Sequence, residues 1–198
     1  MRAWAGALLL ATLMALANCG STYSHRVVGA AAISDHPVAF TADQLARRVH
    51  AEVNRVRLEH GLSQLTWQPG LSPVAYAHSR DMSVRHFFGH INPDGEGPHQ
   101  RYVRAGFRCR VPMGERRFLT AGENIFSGHR VRTWKIWPDG RKQAHHYNTL
   151  AALADRVVVG WLNSPPHREN LLKPIWRSEA IGVYIDAAGA VEVTQNFC

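Results

Sequence analysis

The N-terminus constrains this chain first. Arg2 supplies one positive charge, and Ala3 to Ala17 then runs without a charged residue. A stretch of that length matches the apolar core of an export signal and falls short of the roughly 20 residues that a membrane-spanning helix needs. Ala15-Leu16-Ala17 fits the small-x-small pattern of ordinary signal cleavage. Leu16-Ala17-Asn18-Cys19 also looks like a lipoprotein signal, in which Cys19 becomes the lipidated first residue and attaches the chain to a membrane. Residues 1–18 are read as a signal peptide. The remainder is expected in the cell envelope, as a periplasmic or outer-membrane lipoprotein, or secreted.

Export decides how the three cysteines are read. Cys19 lies at the processing site, and in an oxidising compartment the two that remain, Cys109 and Cys198, are expected to pair. Such a bond would staple the extreme C-terminus to the body. The formal charge of +8 reads as a solvated basic surface, with anionic lipid, cell-wall polymer or nucleic acid as the alternative. The basic residues are scattered, however, and carry no nucleic-acid-binding module, so no nucleic-acid partner is expected.

Residues 19–38 are small and polar without a sustained period, which reads as a flexible tether to one domain over 39–198. Within that domain Leu45, Val49, Val53 and Val56 lie on one helical face. Thr41 and Gln44 form a capping box before them, and Gly61 stops the helix. A second helical face is Leu71, Val74, Ala75, His78 and Met82, where His78 reads as a packed core histidine. Residues 87–100 are dense in Gly, Pro, Asn and Asp and read as loop. Tyr102 to Phe107 forms a short helix ending at Gly106. A hairpin is expected over 130–147 around Pro138-Asp139-Gly140. A third helix spans Thr149 to Asn163 and stops at Ser164-Pro165-Pro166. Strands Ala180–Ile185 and Val191–Phe197 close the chain. Helices and hairpins without regular β–α–β alternation point to an α+β fold, with helices packed on an antiparallel sheet.

Three polar residues stand in settings suited to chemistry: His90 after Phe87-Phe88-Gly89, Glu123 in Gly122-Glu123-Asn124-Ile125, and His167 after Ser164-Pro165-Pro166. Two imidazoles and a carboxylate are a common ligand set for zinc or another divalent ion. A metal-bound water could act as a nucleophile, or the residues could work as acid and base without metal, with Glu123 as the catalytic base. An HExxH pair and a G-x-S-x-G elbow are both absent.

At these motifs the chain resembles the bacterial branch of the CAP superfamily, also called SCP-like extracellular domains. The resemblance runs from about Leu45 to Phe197. It is carried in order by Asn54 and Arg57, Leu65-Trp67, HFFGHINPDG, AGF at 105–107, GENI at 122–125, WLNSPPHRENLL at 161–172, IGV at 181–183 and VTQNF at 193–197. It implies an α–β–α sandwich whose central cleft is lined by two histidines and two glutamates. His90 and His167 correspond to the histidines, which bind zinc or another divalent metal in some members, and Glu123 to the first glutamate. Ser164 stands where the second glutamate is often placed, and serine is a poor metal ligand. Gln195 either faces the cleft from its strand or pairs within the sheet.

Three classes of function follow. One is a binding module holding a small ligand, lipid or protein partner in the cleft with a divalent ion. Another is a hydrolase of cell-wall polymer or peptide, through metal-bound water or through Ser164 activated by His167. The last is a structural or adhesive envelope protein.

Overall fold

The computed structural model describes residues 33–198. The signal segment, Cys19 and most of the tether lie outside the described residues. Strand β1 (Ile33–Ser34) leads to helix α1 (Ala42–Glu59). Its start is the expected capping box: Thr41 Oγ1 accepts the Gln44 N–H at 3.1 Å, and Gln44 Oε1 accepts the Thr41 N–H at 2.7 Å. Leu45, Val49, Val53 and Val56 are fully buried. Gly61 turns the chain away at φ +69°, a conformation that favours glycine. The buried Arg57 donates through Nη1 to the carbonyls of Leu171 (2.7 Å) and Lys173 (3.1 Å). One side chain of α1 thus fixes a turn more than a hundred residues away.

Strand β2 (Thr66–Trp67) and a 3-10 turn precede α2 (Ser72–Arg85), which ends with His86 at φ +55°. Helix α3 (Pro98–Arg104) begins earlier than its apolar residues suggest. Pro98 occupies the first helical position and Gln100 Oε1 accepts the Gly97 N–H at 3.2 Å, so part of the expected loop is helical. The basic stretch that follows holds a small hairpin, β3 (Val111–Pro112) and β4 (Phe118–Leu119).

Strand β5 (Gly122–His129) was hidden in sequence by its small and polar residues. The expected hairpin is β6 (Val131–Ile136) and β7 (Lys142–Asn148). Helix α4 (Leu150–Asn163) is followed at once by α5 (Pro165–Leu171), then β8 (Ser178–Ile185) and β9 (Ala190–Phe197). Ser164-Pro165-Pro166 does stop α4. The same prolines also start a new helix, where their missing N–H groups cost nothing.

The main sheet runs β2-β8-β9-β5, antiparallel except for the β2–β8 edge pair. Alternation gives it two different faces. Glu179 on β8 meets His50 of α1 at 2.7 Å, so α1 covers the odd-numbered side of β8. Ser79 of α2 bonds the Gly182 carbonyl and Thr194 Oγ1, so α2 covers the other. Helix α4 packs on α1, and α5 on α4. The result is an α–β–α sandwich, the α+β architecture read from the sequence. A second sheet, β1-β7-β6, stands beside it. Ile33 and Ser34, within the 19–38 segment read as tether, pair with Asn148 and Tyr147 of β7, so that part of it is a strand of the domain. Among the described residues no helix is long and apolar enough to cross a membrane.

Cys109 and Cys198 form a disulfide across 89 residues of sequence. The Cys198 carbonyl accepts the N–H groups of Arg177 and Ser178, so the C-terminus is held on both sides. Replacing both cysteines with serine is expected to cost about 2–4 kcal/mol in urea unfolding. Gly182→Ala is expected to lower the melting temperature more sharply than an average core change. Its added Cβ would lie 2.0 Å from the Tyr76 backbone nitrogen, driving α2 off the sheet.

Candidate functional site

Glu123 pairs in register with Asn196, and Asn196 with Ala180, so its side chain points to the α2 side of the sheet. There it is buried, with 1% of the side chain exposed. Oε2 accepts from Arg101 Nη2 at 2.5 Å and Oε1 from His90 Nδ1 at 2.9 Å. His78 Nε2 lies 3.7 Å from the same Oε1 and bonds the Gly89 carbonyl at 3.0 Å. Arg101 also donates through Nη1 to the carbonyls of His90 (3.0 Å) and Glu96 (2.7 Å). One guanidinium therefore clamps the loop that carries His90 and neutralises the carboxylate that orients its ring.

His167 approaches from the other side of β5, in the first turn of α5. Asn124, next to Glu123 and facing oppositely, donates to the His167 carbonyl at 3.1 Å. Asn170 donates to the Glu123 carbonyl and to Asn124 Oδ1, both at 3.2 Å. These bonds bring His90 and His167 together over the β5 edge, with ring centroids 5.8 Å apart. Burial, and then the neighbouring His90, push the His167 pKa down. Burial likewise pushes His78 down, outweighing the attraction of Glu123. Both imidazoles are thus held toward the neutral form.

Three readings from the sequence are decided by the structure. Gln195, read as facing the cleft or pairing within the sheet, does the second. It pairs with Asn124, on the face opposite Glu123, and is fully buried between Asn124 and Glu179. Glu123 is not placed to act as a catalytic base, because both oxygens are engaged and the side chain is buried. It positions His90 instead. Ser164 makes no hydrogen bond to His167 among the described residues, so the serine–histidine couple is not formed. His78, read as core, is buried as expected but also abuts Glu123. Arg101 had no signal in the sequence, being one arginine among many until α3 places it.

With this geometry in view, the profile of the cysteine-rich secretory protein family, CAP, matches residues 50–197. The chain belongs to that family. It is 27% identical over 81% of its length to the uncharacterized membrane protein YlbC of Bacillus subtilis, and 26% identical over 71% to the uncharacterized protein YkwD of the same organism. The matches span only 38% and 42% of those relatives. An extracellular SCP-domain protein from Bacillus anthracis superposes with a TM-score of 0.54 at 28% identity, over 81% of this chain and 44% of that one. An outer surface protein from Borrelia burgdorferi shares the fold, with a TM-score of 0.57 at 18% identity over 82% of this chain and 97% of that one.

Two measurements check the site's electrostatics. Glu123→Ala strands the buried Arg101 and is expected to cost about 3–5 kcal/mol. His90→Ala removes one of the hydrogen bonds to that carboxylate and leaves Arg101 in place, so it should cost less, about 1–3 kcal/mol, in the same denaturation series. The second concerns pH. With the folded pKa of His78 and His167 below the ordinary 6.5, the unfolded chain binds more protons as pH drops below that value. Unfolding free energy should fall on acidification through that window. His78→Gln should flatten the fall.

Proposed function

We propose that this domain is an exported binding module whose cleft holds a divalent metal, zinc foremost, between His90 and His167. The ion in turn grips a small ligand, lipid or protein partner. One observation carries the reading. His90 Nδ1 is committed to Glu123, leaving Nε2 with no hydrogen bond among the described residues, beside the ring of His167. A carboxylate behind a histidine fixes the tautomer and raises the basicity of the other nitrogen, as in many metal centres.

The donor set fits such an ion. The two imidazoles come from different segments, the loop before α3 and the first turn of α5, and His167 is held toward the neutral form that coordinates metal. Among the described residues no group of three or more His, Cys, Asp and Glu side chains is arranged to hold a metal. A two-histidine site leaves positions for water or for a donor from the ligand. That favours capture over hydrolysis, since the carboxylate behind His90 is occupied by Arg101 and by His90 itself. When bound, the metal would supply Lewis acidity toward a ligand carboxylate or carbonyl. The chain's residues orient it. The Cys109–Cys198 disulfide supports placement in an oxidising compartment such as the cell envelope.

Equilibrium dialysis with zinc tests the metal part. The native chain should take up a single equivalent and the His90→Ala/His167→Ala variant none, with both folded by circular dichroism. Equal stoichiometry in the two proteins would rule the site out.

A further inference from the structure

The β6–β7 hairpin carries none of the residues His90, Glu123 and His167, and its composition is unusual for an exposed ribbon. Beyond Val131, β6 is exposed on both faces to its end. Trp134 and Ile136 are 40% and 69% exposed. Around them stand Arg132, Lys135, Arg141 and Lys142, while Asp139 is the hairpin's only acid and is paired to Arg141 at 2.6 Å.

The pairing register sorts these residues. Trp134 opposes Ala144 and Ile136 opposes Lys142, so Trp134, Ile136 and Lys142 share one face. Lys135 opposes Gln143, and the Trp137 N–H bonds the Arg141 carbonyl, so Lys135, Trp137 and Arg141 share the other. Cations lie over rings on both faces. Lys142 Nζ is 5.3 Å from the Trp134 centroid, and Lys135 Nζ and Arg141 Cζ are 5.0 and 5.6 Å from that of Trp137. Each face thus presents an indole with ammonium or guanidinium beside it, around a Pro138-Asp139-Gly140 tip.

We propose that this hairpin tip docks the domain on an anionic lipid bilayer. Trp134, Trp137 and Ile136 would enter the headgroup region, and Lys135, Arg141 and Lys142 would meet lipid phosphates. The combination selects this occupant. Excess positive charge complements an anionic surface, each basic residue strengthening partition by about fivefold. Indole rings favour the membrane interface because they are apolar with one polar handle. A soluble polyanion would use the charges alone, and an apolar protein partner would be opposed by unpaired cations.

The test is vesicle co-sedimentation of the full chain carrying Cys19→Ser, so that no attached lipid contributes. Phosphatidylcholine vesicles are compared with phosphatidylcholine–phosphatidylglycerol vesicles. Binding is expected only to the anionic vesicles, weakening as salt rises and shifting tryptophan emission to the blue. Trp134→Ser/Ile136→Ser and, separately, Lys135→Glu/Lys142→Glu should each weaken it by at least about tenfold. All four positions are exposed, so the variants should keep the native circular dichroism. The charge-reversed pair remains a test should the first variant misfold. Binding that ignores lipid charge, or is unchanged in both variants, overturns the proposal. So does an affinity for anionic vesicles and for soluble heparin that is equal and insensitive to Trp134 and Ile136, which would mark a charge-only surface.

Discussion

The buried ion pair between Glu123 and Arg101 is the interaction on which the site depends. Neither group is tolerable alone at that depth, because removing a charge from water costs several kcal/mol unless a partner and hydrogen bonds replace the solvent. Their mutual need joins β5 to α3. It also fixes a loop, since Arg101 holds the His90 carbonyl as well as the Glu123 carboxylate. His90 can then present one nitrogen outward because its other nitrogen is held from behind. The cleft is thus an outcome of how a charge is satisfied inside the sandwich.

The other face of the sheet solves a similar problem with a partly exposed histidine at its end. Glu179 is fully buried, with His50 of α1 and Gln195 of β9 as its partners. Gln195 passes the chain of bonds to Asn124, and Asn124 to the backbone at His167. A polar network therefore crosses from α1 through three strands to the turn carrying the second histidine. Such networks rigidify when every member is paired. The two histidines meet because independent networks on opposite faces converge at the β5 edge.

Much of this was legible in the chain, for identifiable reasons. Helices α1 and α4 announce themselves through apolar residues at helical spacing, and α1 also through Thr41 as its cap, because local physics determines both. The β6–β7 hairpin follows from Pro138-Asp139-Gly140. β5 was not legible: a strand of Gly, Glu, Asn and Ser is held by pairing with β9 and not by its own propensity. Helix α3 was read late because its start is set by Gly97 and Pro98 and not by an apolar stripe. For His78, burial was correctly expected from its helical face, whereas its approach to Glu123 depends on a strand over forty residues away.

The sequence alone determined the class of fold, the pairing of Cys109 with Cys198, and the identity of His90, Glu123 and His167 as the residues worth watching. Those follow from short-range patterns, from cysteine number in an exported chain and from a run of family motifs. Only the tertiary structure decided their roles. Glu123 became a positioning group because Arg101 reached it. Gln195 turned away from the cleft because strand alternation put it beside Glu179. Partnership between charged groups and the facing of a strand are long-range properties, and no local spacing encodes them.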